Sequence, residues 1–290
     1  MAGILCPYVD PARGAADGKF PLDDVDLHSI SDESLAEILY TAPALHDFGQ
    51  TTVARLSKSL VLKGGGNVLP SEAATLRMIA SKTGIRAPRV HRSFQVQDDT
   101  KYFGTMGYVV MDYIDGRPLD TCWEDLGDDQ KMDISKQVAA MIAEMQRIQL
   151  PGPPGPIGGG PCRGRFFTHY SAGPFGDISE FERWFNRKLD ICKKIKKAPQ
   201  DIPGFQFTEL VLVHQDVSPR NLALDPDGQV WLLDWADAGA YPPAFETAAL
   251  ASQQSFPGFH AMVLSHLPRY PVEERQLESI EYGLLTAVLA

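Results

Sequence analysis

The sequence predicts an α+β fold, with a small antiparallel sheet and one helix in its first part and a larger, mainly helical second part. Three observations carry this. Between residues 45 and 112, short and alternating apolar runs are broken by turn residues, as in strands. From about 118 to 200 the apolar spacing lengthens to the 3.6-residue period of amphipathic helices. Around 211–235, short apolar runs return on either side of a tight turn. The expected organisation is an extension over 1–44 with one short helix, a sheet unit over 45–115 and a helical unit over 116–290.

Each element has a local signal. Ser31 can cap a helix over Asp32–Leu39, with Asp32 and Glu33 placed well for the helix dipole. Val53 and Arg55 alternate with Ala54 and Leu56, a turn is expected at Ser57-Lys58, and Leu60–Lys63 forms the returning strand. Gly64-Gly65-Gly66-Asn67 is expected to break that strand. A helix then begins near Pro70-Ser71-Glu72 and runs through Leu76, Ile79 and Ala80 to a stop at Gly84. Two strands follow, around Val90–Gln97 and Tyr102–Asp112. Beyond Asp115-Gly116-Arg117-Pro118, a helix over Asp128–Gln149 places Ile134, Val138, Met141, Ile142, Met145 and Ile148 on one face. Pro151–Pro161 is a Pro/Gly-rich loop. The next helix, Ile178–Lys197, ends in a basic run that suits its dipole.

Composition excludes several classes. With 44% hydrophobic and 22% charged residues among 290, the chain is neither disordered nor a membrane protein. No apolar stretch approaches the ~20 residues that span a bilayer, and the first residues carry no secretion signal, so a cytoplasmic location is expected. A net charge of 27 − 37 = −10 argues against nucleic acid as a partner. Cys6, Cys122, Cys162 and Cys192 show no CxxC spacing, which fits reduced thiols better than a zinc site or a disulfide framework. Of seven histidines, only His214 stands in a pattern that suggests chemistry.

That pattern is VLVHQDVSPRNLALDPDGQVWLLDW, residues 211–235. Leu210–Val213 is an apolar strand leading into His214-Gln215-Asp216. Asn221–Leu224 and Gln229–Leu233 read as two strands about the turn tetrad Asp225-Pro226-Asp227-Gly228. Folding this hairpin brings Asn221 and Asp234 to the same open end, one short loop from Asp216. Three oxygen-bearing side chains then converge, which suits a hard cation such as Mg²⁺. With 3 Asn, 24 Asp and 7 His in the chain, His-x-Asp-x₄-Asn is expected by chance only about 0.006 times. Asp225, Asp227 and Asp237 read as turn and loop residues.

HQDVSPRN followed by LLDW resembles the catalytic and metal-binding segments of the aminoglycoside phosphotransferase/choline kinase-like family, relatives of the protein kinases. The resemblance implies a bilobal protein kinase-like fold, a small antiparallel-sheet lobe followed by a larger helical one. It also implies roles: Asp216 orients a substrate hydroxyl and accepts its proton, and Asn221 and Asp234 hold Mg²⁺ on the nucleotide phosphates. His214 props the catalytic loop. Lys63, ending a strand, and Glu72, in the first turn of the next helix, match the family's lysine and glutamate in order and context. YVVMDYID (108–115) resembles the hinge, where backbone groups near Met111 and Tyr113 would meet the adenine. The run GPIGGGPCRGRFF…GPFGDISEFERWF is similar to a segment of fungal members. The chain departs from the family at Gln215, where a Gly is common, and at Ala236, where a Glu is frequent. No GxGxxG precedes Lys63; only Gly49 in HDFGQTT could serve a phosphate-covering turn.

The expected function is therefore an ATP- or GTP- and Mg²⁺-dependent phosphotransferase acting on a hydroxyl of a small molecule. The chain has neither a DFG triad nor an APE motif, which argues against a protein substrate. The competing expectation is a kinase-like nucleotide- or ligand-binding protein without phosphotransfer, recruited to another step of a biosynthetic pathway. The net charge is compatible with a carboxylate-lined pocket for a cationic acceptor, for which Asp237 and Glu246 are the nearest candidates.

Overall fold

A computed structural model of the chain describes residues 18–100, 104–167 and 171–285. The chain divides into two compact units, Met1–Arg77 with Pro88–Asp115 and Met78–Ala87 with Gly116–Ala290. In the first unit, the Ser31 hydroxyl accepts from the Ser34 amide at 3.1 Å and starts α1 (Asp32–Thr41). Five strands follow: β1 (Ala44–Phe48), β2 (Thr51–Arg55), β3 (Leu60–Gly65), β4 (Val90–Gln97) and β5 (Thr105–Asp112). They form one antiparallel sheet in the order β1-β2-β3-β5-β4, with α2 (Pro70–Lys82) inserted between β3 and β4.

Strand alternation sorts this unit's side chains. Leu62, Tyr108 and Val110 pack with Leu35 and Leu39 of α1, while Val109 and Met111, one residue out of phase, pack with Val68 and Ala73 at the start of α2. Two expectations change here. β3 ends within the glycine run, but later than its first residue, because Gly64 and Gly65 still pair with Tyr108 and Gly107. A Cβ on Gly64 would come within 2.6 Å of the Leu39 side chain and 2.7 Å of the Tyr108 ring, so the missing side chain is what lets α1 lie against the strand. The second change is β1, an edge strand, ALHDF, whose apolar residues do not alternate and of which only Ala44 is buried.

In the second unit the elements are β6 (Arg117–Pro118), α3 (Asp128–Gln146), β7 (Gly155–Pro156), α4 (Ile178–Lys194), β8 (Val211–Val213), β9 (Leu222–Leu224), β10 (Val230–Leu232), β11 (Gly239–Tyr241), α5 (Ala244–Ser252), α6 (Pro257–Leu264) and α7 (Pro271–Leu285). The strands form two small sheets, β10-β9-β6 and β7-β11-β8. α3 stops before Ile148 because the chain turns to run beside β8: the Leu212 amide donates to Ile148 O at 3.2 Å and the Leu150 amide to Leu210 O at 2.9 Å. No described helix is long and apolar enough to cross a membrane. Cys122, Cys162 and Cys192 are buried free thiols, and Cys6 lies outside the described residues.

The core of this unit is aromatic. Phe181 and Phe185 of α4 are fully buried, and the Phe181 ring lies 4.8 Å from Phe185, 5.1 Å from Phe175 and 5.4 Å from Phe207. Tyr241 stacks on Phe245 at 5.8 Å, joining β11 to α5. This packing supports β8 and β11, which flank the 214–238 segment. Truncating Phe181→Ala is expected to destabilise the chain by about 3–5 kcal/mol, read as a lowered urea midpoint, through lost burial and the cavity left behind.

Candidate active site

β8 delivers the chain to His214, whose fully buried backbone N–H has no strand partner. Glu246, in the first turn of α5, accepts it at 2.6 Å. The His214 ring is equally committed. Its Nδ1 accepts from the Asp216 amide at 3.2 Å, which leaves Nε2 as the donor to Leu233 O at 3.1 Å. Trp235 meets the ring edge-on at 4.8 Å. His214 thus ties the loop at Asp216 to Leu233, between the end of β10 and Asp234.

Gln215 turns the corner with φ +69°, a conformation that glycine adopts without cost. Its side-chain amide donates to Arg163 O at 3.1 Å and to Asp237 O at 2.7 Å, so the Gln found here fixes the turn from outside. Asp216 comes next, its side chain 28% exposed. Asn221, in the short turn Pro219–Asn221, donates through Nδ2 to the Asp216 carbonyl at 2.9 Å and to its Oδ2 at 2.8 Å. With the amide nitrogen so engaged, Asn221 Oδ1 is left as an oxygen donor on the other side.

The hairpin sets the remaining residue. Leu222 pairs with Leu232 across β9 and β10, and the Leu233 amide donates to Asn221 O at 2.8 Å. Asp234 is the next residue, at φ +57°. Asn221 and Asp234 therefore stand at the same open end of the hairpin. Among the described residues, no three His, Cys, Asp or Glu side chains cluster as a protein cage for a metal.

In the first unit, Lys63 Nζ lies 2.7 Å from Glu72 Oε1, with the two side chains only 7% and 2% exposed. β3 pairing with Val53 and Val109 fixes the lysine backbone. Met111 lies within β5, opposite Val61 and Val90. The Tyr113 amide donates to Ser59 O at 2.7 Å, and the Arg55 guanidinium sits 3.1 Å above the Tyr113 ring centre. Gly49 and Gln50, both at positive φ, form a two-residue turn between β1 and β2. Asn67 Nδ2 donates to Gly49 O at 2.5 Å.

One acidic expectation is corrected. Glu246 is 1% exposed and accepts the buried His214 amide, so it is not presented to a ligand. Asp237, 35% exposed, lies 4.0 Å from Arg163 Nε. Sequence reading also passed over Arg220, whose Nη2 contacts both Asp216 carboxylate oxygens, at 2.5 and 2.7 Å. The signal was available: Arg220 is four residues beyond Asp216.

The chain matches the phosphotransferase enzyme family over residues 67–271, more than half its length, and belongs to that family. No curated protein sequence matches it. Solved structures of similar fold are aminoglycoside phosphotransferases. The streptomycin–ATP complex of APH(2")-IIa is 16% identical with a TM-score of 0.54, covering 86% of each chain. The GDP complex of the 2'-phosphotransferase-IIIa is 12% identical with a TM-score of 0.57, covering 83% of this chain and 82% of that one. At these identities the likeness shows the fold, which is α+β and protein kinase-like.

The buried charges lend themselves to two measurements. Lys63→Met leaves Glu72 as a buried carboxylate without its cation and is expected to cost about 3–5 kcal/mol; the Lys63→Met/Glu72→Leu double variant should recover much of that. The comparison is made by urea unfolding. Burial pushes the Glu246 carboxyl up to about 7, against the opposing His214 and Gln215 amides and with a smaller push from the Asp216 charge. A raised carboxyl favours folding fully below its ordinary value of 4.5, and that contribution is lost as pH rises through about 7. Glu246→Gln removes this loss, so the variant should gain stability relative to the parent between pH 5 and 7.5.

Proposed function

We propose that this chain is a nucleoside-triphosphate- and Mg²⁺-dependent phosphotransferase whose acceptor is a hydroxyl of a small molecule. The observation that carries the reading is the Asp216–Asn221–Asp234 arrangement: a partly exposed carboxylate, its amide partner and a second carboxylate, tied by the β9–β10 hairpin. The donor set fits Mg²⁺, because Asn221 Oδ1 and Asp234 are hard oxygens and Mg²⁺ fills its remaining positions with water and phosphate rather than protein. When bound there, the ion would neutralise phosphate charge.

The protein's own groups do the rest. Asp216 orients the acceptor hydroxyl and takes its proton as the bond to phosphorus forms. Its carboxylate is kept in one orientation by the Asn221 amide. Lys63, held straight by Glu72, supplies a cation for the nucleotide phosphates. Backbone groups about Met111 and Tyr113 serve the base. ATP and GTP are both compatible with this arrangement, and solved relatives carry ATP, ADP and GDP.

Asp216→Asn keeps the shape and the Asn221 contact but removes the proton acceptor. Transfer of label from γ-labelled ATP or GTP to an alcohol acceptor should fall by about 10²–10⁴-fold, while stabilisation by nucleotide with Mg²⁺ persists in a thermal-shift assay. Equal transfer by variant and parent would sink Asp216 as the base.

A further inference from the structure

Around Asp216 the second unit gathers cationic and unsatisfied polar groups. Arg220 uses only Nη2 on the Asp216 carboxylate; its side chain is 61% exposed, and its Nε and Nη1 make no hydrogen bond among the described residues. A guanidinium has five N–H groups in a planar fork, so one edge remains for a second anion. Arg165 is exposed and donates to Ser252 O at 2.8 Å, a backbone carbonyl at the end of α5, and makes no ion pair among the described residues. The adjacent Gln253 donates to Val217 O at 3.0 Å. The end of α5 thus ties together the Arg165 loop and the Val217-Ser218 loop, and α6 begins directly beyond it.

One turn into α6, His260 is 3% exposed with no partner for either ring nitrogen. Ser218 Oγ, also 3% exposed, has none. His260 lies within electrostatic reach of both Arg165 and Arg220; burial first, and then those charges, hold it down to about 4. It is therefore a neutral hydrogen-bonding group. The carboxylates nearby are opposed by arginine: Asp216, Asp234 and Asp120 by Arg220, and Asp237 by Arg163. An ammonium group placed here would face Arg165 and Arg220.

We infer that the acceptor is an anionic alcohol, with its hydroxyl at Asp216 and a carboxylate or phosphate monoester held by the open edge of Arg220 and by Arg165. The inference rests on the phosphotransferase reading. In the reaction, the bond from γ-phosphorus to the β-bridging oxygen breaks, the alcohol oxygen bonds to phosphorus, the hydroxyl proton passes to Asp216, and the nucleoside diphosphate leaves.

The test uses the full chain with ATP or GTP and Mg²⁺, reading diphosphate release that depends on acceptor. Four arms are run: hydroxycarboxylates such as glycerate, phosphate monoesters such as glycerol 3-phosphate, the neutral alcohol glycerol, and the cationic alcohols ethanolamine and streptomycin. The expected result is turnover in a carboxylate or phosphate arm, the arm itself distinguishing the two, at least about tenfold above the others. Arg165→Glu should raise KM for that acceptor about tenfold with less effect on kcat, and Arg165→Lys should restore most of it. Turnover confined to neutral or cationic alcohols overturns the inference and leaves the phosphotransferase reading standing. Nucleotide binding without transfer in any arm also overturns it. Absence of both transfer and nucleotide-dependent stabilisation removes the underlying reading as well.

Discussion

A buried backbone amide has to find an acceptor or forfeit a hydrogen bond, and at His214 that requirement organises the second unit's site. The chain leaves β8 and turns at once, so no neighbouring strand can take the His214 N–H. Glu246 takes it, at the expense of burying a carboxyl that then holds its proton up to about 7. The histidine ring repeats the solution in the next layer, receiving the Asp216 amide and donating to Leu233 O. Two side chains thus replace the ladder that a strand would have supplied, and Asp216 is presented on a loop whose amides at 214 and 216 are both satisfied.

The segment from β8 to β11 stores strain in two places. Gln215 and Asp234 are both non-glycine residues at positive φ, each costing on the order of 1–3 kcal/mol unless neighbouring contacts offset it. At Gln215 the offset is visible in two side-chain hydrogen bonds to the 163 and 237 carbonyls. At Asp234 it comes from the next residue in the chain, Trp235, which is 1% exposed, donates to Leu232 O at 3.0 Å and packs on His214. Trp235 thus links the turn at Asp234 to the His214 ring, whose Nδ1 accepts the Asp216 amide.

How much of this was legible in the sequence depends on how local each feature is. Asp216, Asn221 and Asp234 could be placed together because the turn tetrad 225–228 and two short apolar strands fix their spacing within twenty residues. Lys63 and Glu72 were legible only through the family resemblance, which their order on consecutive elements fits. Glu246, expected as a carboxylate of an acceptor pocket, shows its role only through burial beside a segment thirty-two residues away, which no local pattern reveals. β1 was missed because an edge strand needs no apolar alternation when its partner, β2, supplies the pairing. Gly64 looked like a strand break, but its lack of a side chain serves the packing of α1. His260 carries no sequence signal at all, since its meaning lies in being buried without partners.

Charge shows the same divide between the chain and the site. A net charge of −10 is compatible with a cationic ligand, but in physiological salt exposed charges more than about 8 Å apart are largely screened. What a ligand at Asp216 meets is therefore set by its nearest side chains, and Arg220, on the Asp216 carboxylate, is one of them; Arg165 shares with Arg220 the electrostatic reach of His260. Neither belongs to the hairpin that holds Asn221 and Asp234 together. Arg165 comes from the loop before α4, and Arg220 from the turn that precedes β9. On the function proposed above, phosphoryl chemistry and choice of acceptor rest on different parts of the same fold, and a substitution at Arg165, unlike one at Arg220, leaves the Asp216 carboxylate contacts in place.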